Sequence, residues 1–218
     1  MAVIHRASLV PGKLELVDPW LARQPWGGGS GQLERVGSYR FDDPEGEVGI
    51  EGLFVTRGEA VFHVLLTYRD APLAEAEGRL VGTMQHSVLG TRWVYDGAGD
   101  PVAVAALVRA ARGEQAQAVL EVHDGDAVVG AVEPDVHVRA MASAERSASA
   151  PADAVAAETG AGDPATAGPE VVSDRPVCEV RFGGATLRMA RVLGAGVEGA
   201  DQLVADWQGG EATMAAVL

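Results

Sequence analysis

The chain has 218 residues, of which 47% are hydrophobic, 22% charged and only 5% aromatic, the profile of a globular protein of one domain or one domain with an appended piece. With 17 Lys+Arg against 31 Asp+Glu the formal charge is −14, so electrostatics oppose binding to phosphate backbones and anionic lipid; neither nucleic acid nor membrane is expected as a partner. The single cysteine, Cys178, permits no internal disulfide and no thiolate-only metal site, which fits a reducing cytoplasm. No export leader and no run of about 18 apolar residues is read anywhere. Lys13 is the sole lysine, and the excess of Arg, Ala and Gly reads as a G+C-rich genome.

In chain order, Lys13 to Val17 and Asp18-Pro19-Trp20-Leu21 predict two short helical pieces, with Asp18 capping the second. Glu34 to Phe41 alternates like a strand and ends in the turn cluster Asp42-Asp43-Pro44-Glu45-Gly46. Glu47 to Thr56 and Ala60 to Tyr68 form a hairpin about Arg57-Gly58-Glu59, and Gly82 to Tyr95 is extended with a break near Gly90. Asp100-Pro101 pairs a capping carboxylate with proline at the first helical position, predicting a helix that stops at Gly113. Ala118 to Val122 and Ala127 to Val138 flank a second hairpin signal, His123-Asp124-Gly125-Asp126. Near the end, Val177 to Phe182 and Thr186 to Leu193 are joined by Gly183-Gly184, and Leu203 to Trp207 and Ala212 to Val217 by Gln208-Gly209-Gly210.

Between these groups, residues 141–170 are rich in Ala, Gly, Pro and Ser and hold no aromatic side chain, too little apolar surface to offset chain entropy. The expected organisation is an α+β body over 1–140, a disordered linker over 141–170 and a C-terminal β-meander over 171–218 that pairs with itself or completes the body's sheet.

Several segments together resemble a known family. Trp20-Leu21-Ala22-Arg23-Gln24-Pro25-Trp26, Gly49-Ile50-Glu51, Leu66-Thr67-Tyr68-Arg69 and the run from Gly82 to Asp96 are similar, in order and spacing, to the N-terminal cap domain of bacterial maltokinases, over roughly residues 1 to 115. The chain looks most like free-standing proteins that carry only this cap, often labelled as glucan-branching proteins. The resemblance implies a cystatin-like fold, a curved antiparallel sheet around a helix, and a link to α-glucan, trehalose or maltose metabolism. Full-length maltokinases usually show an aromatic pair after the glutamine near Trp26, where this chain has Gly27-Gly28-Gly29.

The machinery of phosphoryl transfer is not legible. A kinase of this type needs a strand lysine, a catalytic aspartate followed by asparagine, and a metal-holding aspartate. Lys13 lies outside any strand candidate, arginines stand at the plausible positions of Ala185 to Arg191, and the chain contains no asparagine. Gly27-Gly28-Gly29-Ser30-Gly31 lacks the flanking strand and helix of a phosphate cradle, and no G-x-S-x-G or H-E-x-x-H occurs. Cys178 reads as a small buried hydrophobe, and His5, His63 and His137 as sheet residues without ligand spacing. No catalytic residue, metal or cofactor is assigned.

The candidate binding constellation is Tyr68, Arg69, His86, Arg92, Trp93, Tyr95 and Asp96, because sugar recognition combines a flat aromatic face with planar, bidentate polar groups. The competing reading makes Trp93 and Tyr95 core residues, with Arg92 and Asp96 capping strand ends, and Trp20 and Trp26 anchors of the N-terminal pieces. The leading expectation is a non-catalytic cap-domain adaptor or regulator that docks on a protein of glucan or trehalose metabolism. The alternatives are a sugar or sugar-phosphate binder or rudimentary enzyme, and, third, a maltokinase-like kinase. Open sheet edges also leave room for a homodimer.

Overall fold

A computed structural model describes residues 2–5, 7–124, 127–142 and 168–218. It is α+β, built on two six-stranded antiparallel sheets and one three-stranded sheet. The strands are β1 (Ala2–His5), β2 (Leu9–Val10), β3 (Glu34–Phe41), β4 (Gly49–Arg57), β5 (Ala60–Arg69), β6 (Leu80–His86), β7 (Gly90–Asp96), β8 (Leu120–Asp124), β9 (Ala127–Val132), β10 (Val136–Ala142), β11 (Glu170–Asp174), β12 (Val177–Phe182), β13 (Ala185–Ala190), β14 (Asp201–Trp207) and β15 (Gly210–Val217). The α-helices are α1 (Lys13–Leu21) and α2 (Pro101–Ala111).

The first sheet, ordered β2-β6-β7-β5-β4-β3, curls with a helix on each face. Alternation sorts its side chains: Leu53, Val64, Leu66 and Val94 pack under α1, whereas Phe54, Leu65 and Tyr39 face α2. Along α1, Leu16, Val17, Trp20 and Leu21 are buried, the inward stripe of a short amphipathic helix. The two helical pieces expected here are one helix running through Pro19, and Asp18 does not cap a second one: its carboxylate pairs with Arg57 of β4.

α2 begins as the sequence predicts, with the Asp100 carboxylate accepting from Val102 N at 3.0 Å and proline in the first turn. It lies between the first sheet and the second, which runs β10-β14-β15-β13-β12-β11. Ala103, Ala106, Ala110 and Ala111 are buried, and these small side chains admit close packing on both sides.

The strands after residue 168 thus form their own sheet, which takes in β10 from before the linker. Met141 and Ala142 pair with Gln202 and Asp201, and Glu170 pairs with Arg181, so both margins of the predicted linker are strand. Its interior, 143–167, lies outside the described residues, as do Gly125 and Asp126 of the predicted hairpin turn between β8 and β9. The extended stretch expected from Ala127 to Val138 is two strands, β9 and β10, divided at Glu133-Pro134-Asp135; Pro134 cannot donate to a ladder. The third sheet, β1-β8-β9, joins β1 to β8 in parallel.

The tail touches the first sheet where β7 runs out. β7 pairs with Leu66 to Arg69 of β5, and the earlier part of β5 receives residues 191–193 instead. His63 N donates to Arg191 O at 3.0 Å and Leu193 N to Val61 O at 2.9 Å. Two glycines are fixed by close approach. A Cβ on Gly52 would stand 2.0 Å from the Tyr39 ring, and one on Gly37 would stand 2.8 Å from Asp135 Cβ, where β3 crosses the start of β10. No helix among the described residues is long and apolar enough to cross a membrane.

Candidate functional site

The seven residues of the candidate constellation divide among three environments. Tyr68, His86 and Arg92 line one cavity of about 470 Å³ beside the N-terminus of α1. Asp96 lies on the same face of β7 as Arg92 but four residues on, roughly 13 Å along the strand. Arg69, Trp93 and Tyr95 have the opposite parity and lie on the other face of the sheet.

The cavity is organised by Glu51, a carboxylate at an inward position of β4 and only 2% exposed. Tyr68 Oη donates to Glu51 Oε2 at 2.6 Å, Lys13 Nζ donates to Oε1 at 2.7 Å, and Arg40 Nη2 stands 3.7 Å from Oε2. Burial alone would raise the Glu51 pKa, but Arg40 and Lys13 overcome it and hold the group at about 2. Lys13 is displaced downward by burial, with Glu51 opposing that shift. Burial, followed by the charge of Glu51, keeps the Tyr68 phenol neutral well above its usual range. Lys13 and Arg40 lie 5.8 and 5.9 Å from the Tyr68 ring centroid, within cation–π range. On the opposite wall, His86 Nδ1 accepts from Val88 N at 3.2 Å and Leu89 N at 3.1 Å, so the ring carries a proton on Nε2. Arg92 Nη2 donates to Leu89 O at 2.7 Å.

Sequence reasoning weighed Lys13 only as the strand lysine of a kinase and did not single out Arg40. The usable signal was Glu51, because a charge at an inward strand position must be paired. Its partners come from α1 and β3, which no local pattern links to it.

The other four candidates stand outside this cavity. Asp96 is fully buried against Arg191, whose Nη1 and Nη2 donate to Oδ1 at 2.8 Å and Oδ2 at 2.6 Å. Arg79 reaches Asp96 Oδ2 at 3.1 Å, while Asp174 Oδ1 accepts from Arg191 Nε at 3.1 Å and from Trp26 Nε1 at 3.0 Å. Burial opposes the charge on Arg191, yet Asp96 and then Cys178 and Asp174 hold its pKa above the usual value; burial would raise that of Asp96, and Arg191 drives it down. The Arg191 guanidinium also lies 4.9 Å from the Trp26 ring. Arg69 grips Asp100 in a bidentate pair at 2.7 and 2.8 Å, fixing the cap of α2 to β5. Tyr95 is buried and its hydroxyl accepts from Leu73 N at 2.8 Å. Trp93 is half-buried across from Arg69 and Thr83.

The remaining aromatic, thiol and imidazole groups are framework. Trp20 and Trp26 are buried edge to face, 5.7 Å apart, as anchors of the N-terminal segment. Cys178 is buried and its thiol is pushed up to about 12, chiefly by desolvation. His63 is fully buried: Nδ1 donates to Ala190 O at 3.1 Å and Nε2 accepts from Tyr39 Oη at 2.9 Å. His137 is exposed on β10.

These features define an α+β protein with a curled sheet, a helix on each of its faces, a second sheet locked on through buried ion pairs, and one polar cavity lined by a tyrosine. Among the described residues, no group of three or more His, Cys, Asp or Glu is placed to hold a metal. Residues 20–100 match the family model of the maltokinase N-terminal cap domain, so the resemblance read from the sequence holds over the stretch from the end of α1 to the Asp100 cap. No curated protein matches the chain.

Proposed function

We propose that the chain is a non-catalytic cap-domain protein of the cytoplasm, acting as an adaptor or regulator of enzymes that handle maltose, trehalose or α-glucan. The observation that carries the docking role is the edge of the first sheet. β2 pairs with β6 only at Gln85 and His86, and Pro11 ends that ladder, so Leu80 to Met84 have no strand beside them among the described residues. Val10, Val88 and Leu89 are exposed at the β2 end of this edge. An extended segment of a partner fits such an edge through main-chain hydrogen bonds. The cap match supports the metabolic link, because maltokinase is the enzyme for which the matched domain is named.

The test is affinity capture from native lysate with the wild-type chain and with a Val10→Lys/Thr83→Lys variant that charges the edge. Recovery of an enzyme of maltose, trehalose or α-glucan conversion by the wild type, lost in the variant, is the expected result. Equal recovery by both, or phosphorylation of maltose by the purified chain with Mg-ATP, would overturn the reading.

A further inference from the structure

The cavity beside α1 is lined by more hydrogen-bond donors than the fold uses, and that surplus selects the class of ligand. Its volume, about 470 Å³, lies within the ~300–1,000 Å³ typical of small-molecule sites. Three cations stand on its walls: Lys13 at the start of α1, Arg40 on β3 and Arg92 on β7. Of these, Lys13 has a short bond to a carboxylate, 2.7 Å to Glu51 Oε1. Tyr68 takes Glu51 Oε2 at 2.6 Å, and Arg40 is left 3.7 Å from that oxygen, beyond hydrogen-bond distance. Arg92 spends Nη2 on the carbonyl of Leu89, meets no carboxylate among the described residues, and keeps Nε buried without an acceptor. A buried donor left without a partner carries a desolvation cost that an acceptor in the cavity would cancel.

The acidic groups on the walls are committed. Asp43 accepts from the backbone N–H groups of Glu45, Glu47 and Val48, Glu51 holds Lys13 and Tyr68, and Asp42 is likewise engaged. Glu47, the remaining carboxylate, is exposed to solvent. The uncommitted groups of the inner wall are therefore donors on two arginines, and their complement is an oxyanion held by charge-assisted hydrogen bonds. Lys13 is lowered chiefly by burial, with Glu51 opposing and the like charge of Arg40 lowering it again, a repulsion that a bound anion would relieve. The net charge of −14 opposes an anion at long range, but that field is screened beyond about 10 Å at 0.1 M salt, whereas the arginine bonds act at contact. Leu9, Val48, Met84 and Leu89 make the rest of the wall apolar, which suits a ligand whose charged group rides on an apolar body.

We propose that this cavity binds a small organic oxyanion, a carboxylic acid or phosphate monoester on an apolar body, its charged group bonded to Arg92 and attracted by Arg40. The site goes beyond the docking role and does not rest on it, because ligand binding here needs no partner protein.

The experiment is calorimetric titration of the full chain with phenyl phosphate, with benzoate and with the neutral benzyl alcohol. It is repeated on Arg92→Gln, on Arg40→Gln and on Arg139→Gln, the last a control at an exposed position of β10 outside the cavity. The expected result is saturable binding of one or both anions, the tighter of the two identifying the charged group as phosphate or carboxylate. Benzyl alcohol should be at least tenfold weaker. Arg92→Gln should lose tenfold or more in affinity and Arg40→Gln threefold or more, with Arg139→Gln unchanged. Circular dichroism melts identify any variant that fails to fold. Leu89→Trp, which fills the cavity from an exposed wall position, then serves as a second probe with the same tenfold loss. Benzyl alcohol binding as tightly as the anions overturns the proposal, as does silence of all three ligands at tens of millimolar, or anion affinity unchanged in folded Arg92→Gln and Leu89→Trp.

Discussion

Arg191→Met removes the guanidinium that ties the C-terminal sheet to the cap-like sheet, and its effect can be sized from the geometry. In the wild type Arg191 is fully buried, bidentate to Asp96 and bonded to Asp174, and Asp96 is itself 1% exposed in its side chain. Removing one partner of such a pair leaves a buried charge without its counter-ion, a loss of about 3–5 kcal/mol. Arg79 remains 3.1 Å from Asp96, so the lower part of that range, about 3 kcal/mol, is expected. Asp96→Asn should cost as much or more, because Arg191 then retains only Asp174. Against a total stability of about 5–15 kcal/mol either loss is large. With a urea m-value of about 2–3 kcal/mol/M, the midpoint should fall by roughly 1–1.5 M. Urea unfolding followed by tryptophan fluorescence reads this directly, since Trp26 lies over the Arg191 guanidinium. The double variant Arg191→Met/Asp96→Asn should be less destabilised than the sum of the singles by more than about 1 kcal/mol, the coupling expected of groups in direct contact. Single losses below about 1 kcal/mol, the value of an exposed ion pair, with an additive double variant, would refute the buried-pair account.

His63 is neutral in the fold, its value lowered to about 4 by burial against an ordinary 6.5, so the unfolded chain binds the proton that the folded chain refuses. Its contribution is intact above pH 6.5 and is lost as the pH falls from 6.5 to 4, by about 3 kcal/mol in all; in His63→Gln that slope should largely vanish, and its persistence would count against the assignment. Glu51 acts in a separate window, its contribution being present above the usual glutamate value of 4.5 and lost as the pH falls toward 2, so Glu51→Gln should flatten only the acid limb of a stability–pH profile. Gly52→Ala forces a methyl into the Tyr39 ring and should cost about 1–3 kcal/mol by thermal melt, whereas Gly46→Ala, at an exposed turn with no atom within 4 Å of its Cβ but with φ of +75°, should cost about 1 kcal/mol through backbone strain alone. Asp100→Ala removes both the α2 cap, worth about 1 kcal/mol, and the partner of Arg69; a loss above 1 kcal/mol that shrinks in an Arg69→Met background is expected in denaturant titrations.

Local signals carried most of the element assignments. β3 spans the predicted Glu34 to Phe41, the Asp43 turn closes with three backbone N–H groups on one carboxylate, and α2 starts on the predicted Asp-Pro pair. β2 and β11 were not anticipated. β2 is a two-residue strand, too short for alternation to register, and β11 begins inside the Ala- and Gly-rich stretch whose composition argued for disorder. Asp18 was misassigned because a carboxylate before proline looks like a cap, and nothing near it in the sequence announces Arg57 on β4.

The candidate constellation failed as a unit for a reason set by strand geometry. Residue type marked Tyr68, Arg69, Arg92, Trp93, Tyr95 and Asp96 alike, but adjacent residues of a strand face opposite sides, so Tyr68 and Arg69 were never able to serve the same pocket. Parity alone would have separated Tyr68 and Arg92 from Arg69, Trp93 and Tyr95, using the register in which Tyr68 pairs with Val94. It would still have left Asp96 with Arg92. Removing Asp96 from the site requires Arg191, 95 residues away across the linker, and a buried carboxylate gives no sign in the sequence of which distant arginine neutralises it. The same distance explains what Asp96 does. The C-terminal sheet meets the first sheet through the main-chain bonds of His63 to Arg191 and Leu193 to Val61, and the buried Asp96–Arg191 pair ties the two sheets together at that same point.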